Sequence, residues 1–487
     1  MEVSGRDVFV IPRPEPEPEQ RLVGRLREGL EDGFTLVIAK SVLGLLAAGV
    51  PPAAVVRVGT EFGTAYRDPG WGSGLTVLVA MANLLPHLRA EDRGLALVHG
   101  LSFVSRDTRG HPPRFPLTPL GSKEVPLERL AEWYRDFIET RSEEAAERAL
   151  VTALAQGESL PAVERMMFAA VTDHVFIDEG HTLDFTNKAF ELLEHLGPAV
   201  APAVLPALVR QTAGARRDEE LAAWRHPHDL VSLIRRLDGR LPSLLEKGSE
   251  RRGEFEAVGE LGWRMLGEDP EDMVDGICQA LEDGATPEQL GRAVAYAAAL
   301  RIVRFHTQND FGDWDTVHHA FTSANALHSA LSRHPTPDLL RGVIHAALRV
   351  FLDRFLNVPA ARLPEVEEGD LADLAACWDA QGGVNEAGAL TYGYLRRGGD
   401  PAQVVAALAG ALLHEDAGFH WYQIVEAGVR QHLAWPAGSE EGALILAGVA
   451  RFLAAHTPTR RELPQVVGIA ARLRRGEALY EELGGTV

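Results

Sequence analysis

Helical periodicity is the feature that most limits how this chain of 487 residues can fold. Apolar residues recur at three- and four-residue spacing in almost every segment after residue 20, as in LERLAEWYRDFIETRSEEAAERALVTALAQG. Gly157 ends that segment, and ESLPAVERMM begins a new helical pattern directly after it. Strand-like alternation is scarce. The sequence therefore predicts an all-α protein with short loops.

A weak internal repeat organises these helical segments. Four segments, which begin at Glu61, Ala169, Leu300 and Gly410, each contain a helix end, a short turn and a second helix that starts polar and becomes apolar. Such units can stack as an open superhelix or close into a ring. We therefore predict about four repeat units in a closed or strongly curved array, near residues 55–150, 160–245, 290–365 and 400–465. Residues 1–20 are expected to form an extended Pro/Glu-rich arm, and residues 21–487 a single helical domain.

Composition excludes several classes of protein. A formal net charge of −21 argues against a nucleic-acid binder, because such a surface repels phosphate. Cys278 and Cys377 lie outside any Cys-x-x-Cys or Cys-x-His pattern, which leaves structural zinc, Rieske ligation and a disulfide framework unsupported. No run reaches the roughly 18 apolar residues of a membrane helix, and the N-terminus has no apolar signal core. A cytoplasmic protein without a membrane partner is expected.

Histidines recur at the turns of three repeat units. One precedes the turn in each unit (His174, His306 and His414), and one follows it near the start of the second helix (His181, His318 and His420). A polar residue lies three positions from each histidine of the second group, and these pairs share a helix face: His181 with Asp184, Asp315 with His318, and His420 with Gln423. Neutral imidazole is the commonest metal ligand in proteins. The recurrence predicts a central metal site at these turns. Six imidazoles exceed the five or fewer ligands of an open iron site, so some of the six would support the ligands and not bind the ion.

Some of these histidines can also be explained without a metal ion. His174 and His414 could interact with the C-terminal ends of helices, where a positive charge is favourable. His318 and His319 are adjacent, so at most one of them faces a given site. The acids Asp184 and Asp315 are expected to orient a ligand imidazole or to move a proton. Phe185, Trp314 and Trp421 are expected to line a flat apolar substrate pocket, although packing explains them equally well.

Lys188 is one of only four lysines in the chain. It lies seven residues after His181 and shares a helix face with His181 and Asp184. We assign it a catalytic role as a hypothesis. The alternative is a surface lysine that lays its aliphatic stem along the protein and keeps its ammonium in water.

The phrases FHTQNDFGDWDTVHHAF, DEGHTLDF and HEDAGFH resemble the questin oxidase-like proteins, over roughly residues 55–460. That family includes fungal enzymes that open anthraquinone rings with dioxygen. The phrases GWGSGLT and DWDTVHH are also similar to those of uncharacterised actinobacterial proteins, some of which carry a Rieske domain. The resemblance implies a non-haem iron oxygenase with a histidine-rich site and a carboxylated lysine ligand. It would make His174, His181, His306, His318, His414 and His420 the ligand candidates and Lys188 the lysine to test for carboxylation.

These observations lead to one functional prediction with two alternatives. We predict an oxygenase that holds Fe(II) and uses dioxygen as co-substrate to oxidise or cleave an aromatic, polyketide-like small molecule. Without Rieske cysteines, it would need an external electron donor or would catalyse a dioxygenation that requires none. One alternative is a hydrolase in which Zn or a metal pair activates water. The other is a non-enzymatic helical-repeat scaffold that binds a protein or peptide.

Overall fold

The structure, a computed structural model, describes residues 19–121, 124–366 and 368–477. Within these residues the chain forms helices and no strand, which confirms the all-α prediction. The predicted arm over residues 1–20 lies outside the described residues, except for Glu19 and Gln20, which begin the first helix. No helix in the described part of the chain is long and apolar enough to cross a membrane.

The α-helices follow one another along the whole described chain. In order they are α1 (Glu19–Asp32), α2 (Thr35–Ala47), α3 (Pro52–Ala65), α4 (Ser73–Leu84), α5 (Asp92–Thr108), α6 (Leu127–Glu139), α7 (Glu143–Ala155), α8 (Leu160–Thr172), α9 (His181–Leu196), α10 (Ala201–Val204), α11 (Val209–Gly214), α12 (Leu230–Asp238), α13 (Leu241–Lys247), α14 (Val258–Arg264), α15 (Pro270–Glu282), α16 (Pro287–Val303), α17 (Asp313–Arg333), α18 (Pro337–Leu352), α19 (Leu374–Asp379), α20 (Val384–Arg396), α21 (Pro401–Leu413), α22 (Phe419–Leu433), α23 (Glu440–His456) and α24 (Glu462–Arg475).

Short 3-10 helices connect several of these elements. They are Leu85–His87, Ile177–Gly180, Pro198–Val200, Leu205–Leu208, Asp218–Glu220, Ala222–Trp224, Ser249–Arg251, Asp353–Asn357 and Leu371–Asp373.

Four helices with little exposed surface form the centre of the fold. They are α4, α9, α17 and α22, and in each of them most residues are buried. A helix that is buried nearly all round needs neighbours on every side. Contacts join α4 to α9, α9 to α17, α17 to α22, and α22 to α4. Small residues such as Ala320, Ser323 and Ala324 line α17 and allow its neighbours to approach closely.

These four helices are the second helices of the four predicted repeat segments. The first helices of the same segments are α3, α8, α16 and α21, and a turn separates each from its partner. The turns before α9, α17 and α22 carry His174, His306 and His414, and the helices that follow carry His181, His318 and His420. The equivalence of the four units, and their closure into an array, stay predictions.

Candidate metal centre

Three imidazoles from different helices meet at one end of this central group. They belong to His181 on α9, His319 on α17 and His420 on α22, and one ring nitrogen from each lies within 4.8 Å of the others. The Nε2 atoms of His319 and His420 are 3.2 Å apart. Two nitrogens bound to one tetrahedral ion, each at about 2.1 Å, would be separated by roughly 3.4 Å. The donor set and its spacing therefore suit a transition metal ion.

In two of these rings, those of His420 and His319, a carboxylate lies beside Nδ1, on the side away from the other imidazoles. Asp315 Oδ1 lies 2.9 Å from Nδ1 of His420 and accepts its hydrogen bond, which also lowers the pKa of Asp315. Glu179 Oε2 lies 3.3 Å from Nδ1 of His319. Metal-binding histidines usually donate their second N–H to a carboxylate or carbonyl, which fixes the tautomer and leaves the other nitrogen free to bind. In both residues the nitrogen that this pattern leaves free is the Nε2 that faces the centre.

The segment before α9 contains three non-glycine residues with positive φ angles, in the left-handed region of backbone conformation. Phe176, Asp178 and Glu179 have φ values of 44°, 52° and 56°, which cost of order 1 kcal/mol or more each outside glycine. Arg216 secures the segment twice: its carbonyl oxygen accepts a hydrogen bond from the Asp178 amide at 2.7 Å, and its Nη2 donates one to Glu179 Oε1 at 2.7 Å. These contacts place Glu179 beside His319.

Gly180 completes this segment and allows α9 to lie against α17. Its φ is 88°, and a Cβ there would lie 2.7 Å from the Cβ of Ser323. Only glycine satisfies both the backbone angle and this spacing. His181 follows directly and is thereby held at the start of α9.

His318 adds a fourth imidazole beside the three. Its side chain is fully buried, and neither ring nitrogen has a hydrogen-bond partner among the described residues. Its ring centre lies 4.5 Å from that of His420. Burial lowers the pKa of His318 well below its usual range and lowers the pKa of His319 to about 3. Both rings are therefore neutral at pH 7, which is the form that binds metal.

Three of the six predicted ligands lie outside this cluster. The ring nitrogens of His174 contact Glu219 Oε1 at 2.8 Å and Glu139 Oε2 at 3.0 Å. The exposed His414 donates from Nδ1 to the Gly410 carbonyl at the end of α21, as the helix-end alternative expected. Nδ1 of His306 accepts a hydrogen bond from the Gln308 amide.

The structure thus brings together His181 and His420, with His318 adjacent, and adds two residues that the sequence analysis did not select. His319 lies four residues after Asp315, so the spacing that pairs Asp315 with His318 was equally open to His319. Glu179 gave no comparable signal, because its position depends on the left-handed segment.

Lys188 and Asp184 lie deeper between the central helices. Lys188 Nζ is 2.9 Å from Glu191 Oε2 and 2.7 Å from Glu426 Oε2. Its side chain is only 1% exposed, so the surface-lysine alternative is wrong. Asp184 accepts a hydrogen bond from Gln423 Nε2, and burial raises the pKa of Asp184 to about 7.

A cavity of about 610 Å³ reaches the cluster at His181. Phe185 and Trp71 contribute apolar surface to its lining, and Arg67, Arg210 and Gln211 contribute polar groups. Phe185 and Phe419 also pack against the His181 ring, with ring centres 5.4 and 5.8 Å away. Of the other predicted pocket aromatics, Trp314 is buried against Phe305, and Trp421 packs beside His456.

The raised pKa of Asp184 predicts a specific pH dependence of stability. The folded protein keeps the proton up to about pH 7, whereas an unfolded carboxyl releases it near pH 4, so the stability of the folded state should fall as pH rises between these values. Asp184→Asn removes this slope of up to about 1.4 kcal/mol per pH unit and retains an oxygen for Gln423. The free energy of unfolding is measured with urea from pH 4 to pH 8 in the presence of EDTA. Relative to the wild type, the free energy of unfolding of the variant should increase steadily from about pH 4 to about pH 7. Asp310 is exposed, so the stability of the control variant Asp310→Asn should depend on pH in the same way as that of the wild type. The same pH dependence in Asp184→Asn and the wild type would contradict the prediction.

Comparison with known proteins does not supply a family for this arrangement. Neither family models, nor curated proteins, nor solved structures gave a significant match to the chain.

Proposed function

We propose that this protein is a metal-dependent oxygenase that holds one Fe(II) ion through His181, His319 and His420. The observation that carries the proposal is the pairing of Nδ1 with Asp315 or Glu179 in two rings whose Nε2 atoms face each other at 3.2 Å. The two Nε2 atoms can hydrogen-bond to each other when no ion is present, and an ion bound between them would replace that contact. Imidazole suits iron, and three protein ligands would leave coordination positions for dioxygen and substrate.

The metal would supply the redox chemistry that dioxygen requires, and the chain supplies the setting. Asp315 holds the His420 ring at a fixed tautomer and angle through its hydrogen bond to Nδ1, and Glu179 lies beside Nδ1 of His319. Phe185 and Phe419 pack against the His181 ring, and Phe185 also lines the cavity beside it. That cavity, at about 610 Å³, has the size of a small-molecule site, and an aromatic substrate would lie against Phe185. Dioxygen is the co-substrate, with an external electron donor unless both oxygen atoms enter the product.

The resemblance to the questin oxidase-like family supports the same chemistry but fits Lys188 less well. A carboxylated lysine would carry a negative charge, and Glu191 and Glu426 already lie within hydrogen-bond distance of its nitrogen. Three buried anions beside a single paired cation, Arg430, would repel one another strongly. We therefore assign Lys188 as a structural cation. We also infer that the four units form a closed array, because α4, α9, α17 and α22 contact one another in a ring.

A zinc-dependent hydrolase is the second candidate. Three histidines with an open position are also the donor set of catalytic zinc, which activates water. The donor set alone does not separate iron from zinc, whereas reactivity toward dioxygen does.

Metal identity and reactivity together test the proposal. Protein purified without oxygen should contain about one iron per chain, and addition of nitric oxide, a stable surrogate for dioxygen, should give the electron paramagnetic resonance signal of a high-spin iron nitrosyl. A hydroxyanthraquinone should then stimulate oxygen uptake by the iron-loaded protein. Stoichiometric zinc with ester hydrolysis would support the second candidate instead. A metal-free protein that binds neither iron nor zinc would contradict both the oxygenase and the hydrolase, and would favour the helical-repeat binding scaffold.

A further inference from the structure

A second cavity, of about 600 Å³, lies between α5, the turn that joins α1 to α2, and the start of α24. We call it the arginine cavity, because Arg106 and Arg109 of α5 both line it. Ser102 and Tyr422 also line it. It does not include any of the three clustered histidines, and the metal proposal does not account for it.

Arg106 and Arg109 lie three residues apart and so project from the same face of α5. Neither guanidinium has a carboxylate or hydrogen-bond partner among the described residues, in a protein whose net charge is −21. By contrast, the arginines that line the cavity at His181 are ion-paired: Arg67 with Asp107, Arg210 with Glu143, and Arg216 with Glu179. The arginine cavity therefore differs from the cavity at His181 in having two guanidinium groups without a partner among the described residues.

Local packing holds both guanidinium groups in place. That of Arg106 lies over the Phe103 ring, 3.8 Å from its centre. That of Arg109 packs against the backbone of Gly33, where φ is 72° and any Cβ would overlap the guanidinium. Both arginines are exposed, and these contacts restrict their guanidinium groups in part before an anion binds.

The acids in the cavity wall do not neutralise these charges. The carboxylate of Asp416 accepts hydrogen bonds from the amides of Glu462 and Leu463, at 2.8 and 2.9 Å, and so caps the start of α24. Glu462 lies 3.8 Å from Arg460. The two guanidinium groups are thus the charges in this wall without a partner.

The rest of the wall is mixed. Ile38, Leu463 and Val466 supply apolar surface, and the buried hydroxyl oxygen of Ser102 has no hydrogen-bond partner among the described residues. A guanidinium binds phosphate and carboxylate oxygens with paired hydrogen bonds. The volume exceeds what a bare inorganic ion needs and falls within the range of small-molecule sites.

We propose that the arginine cavity binds a small organic oxyanion. A phosphate or carboxylate head is held between Arg106 and Arg109, and an apolar body lies against Ile38, Leu463 and Val466. The site is separate from the cavity at His181. Tyr422 connects the two regions, since it lines the arginine cavity, donates to or accepts from Nδ1 of His99 at 2.6 Å, and lies two residues after His420 on α22.

Calorimetric titration of the full chain with phenyl phosphate, in a buffer without phosphate, tests this proposal. Phenyl phosphate should bind more tightly than inorganic phosphate, which lacks the apolar body, and phenol should bind least, because it lacks the charged head. Arg106→Gln and Arg109→Gln should each weaken the binding of phenyl phosphate at least about tenfold, because each removes a charge-assisted hydrogen bond to the anion. Benzoate in place of phenyl phosphate distinguishes a carboxylate head from a phosphate head.

Matched controls separate this site from general charge effects. Arg129→Gln removes an arginine that is 57% exposed and paired with Glu132 on α6, and it should leave binding unchanged. His420→Ala should also leave it unchanged, so a failed metal proposal and a failed anion proposal give different results. Unaltered binding in the double variant Arg106→Gln, Arg109→Gln, with an unaltered melting temperature, would overturn the proposal. Equal affinity for phenol and phenyl phosphate would do so as well.

Discussion

His420→Ala should remove most of the bound metal from the purified protein. The change deletes one of three ligand nitrogens and also releases Asp315 from its hydrogen bond to Nδ1. His319→Ala should have a similar effect, because the Nε2 atoms of the two rings face each other at 3.2 Å. We expect the metal affinity to fall more than about 100-fold in each variant, which exceeds the 10–100-fold typical of lost partners that only orient a ligand. Elemental analysis after dialysis against a weak chelator measures this loss.

Two other histidines provide matched controls for the same substitution. His414 lies six residues before His420, is exposed and hydrogen-bonds the Gly410 carbonyl, while His174 contacts Glu139 and Glu219. The variants His414→Ala and His174→Ala should keep their metal. Asp315→Asn should have an intermediate effect, with a metal affinity about 10–100-fold lower than that of the wild type. Equal metal content in every variant would show that the cluster is not the site.

Lys188→Met should destabilise the fold by about 3–5 kcal/mol, the usual cost of removing one partner from a buried ion pair. The ammonium lies between Glu191 and Glu426, and all three side chains are almost completely buried. Burial alone would raise the pKa of Glu191, but Lys188 and Arg430 hold it below its ordinary value. Without Lys188 the two carboxylates must share the remaining cation, Arg430, or take up protons. Urea unfolding at pH 7 measures the difference.

Lys247→Met supplies the comparison for this change. Lys247 is 64% exposed and pairs with Glu282 at the surface, so its loss should alter stability by no more than about 0.5 kcal/mol. Adding Glu191→Gln and Glu426→Gln to Lys188→Met should restore part of the lost stability, because the buried negative charges are removed as well. A Lys188→Met protein with normal stability but no metal would indicate that the lysine serves the metal centre instead.

The sequence could predict the helical class because periodicity records which face of each segment is buried. It could also predict that His181, His420 and Asp315 belong together, because each occupies the same place at the start of a second helix. It could not choose between His318 and His319. Adjacent residues on a helix point about 100° apart, and only the packing of α17 against α9 and α22 fixes its rotation.

Other features of the site depend on contacts that no local pattern records. His174, His306 and His414 lie in the turns, within three residues of the ends of their first helices. There the backbone directs their side chains toward Glu219, toward Gln308 and back onto α21, respectively. The burial of Lys188 depends on its contact with Glu426, 238 residues away in the chain, which no local pattern records. The left-handed angles of Asp178 and Glu179 are held by Arg216 and cannot be read from the residues themselves.

The position of the cluster at the beginnings of three helices has an electrostatic consequence. His181 is the first residue of α9, His420 the second of α22, and Asp315 the third of α17. The backbone amides of a first helical turn lack carbonyl partners within the helix, and each such end carries roughly half a positive charge. The N-terminal ends of α9, α17 and α22 meet around the three clustered imidazoles. Their partial positive charge disfavours a protonated histidine in the cluster, and it favours a negatively charged ligand over a neutral one. Asp315 and Glu179 offset part of this field, so the acids that orient the rings also make the site tolerable for a cation.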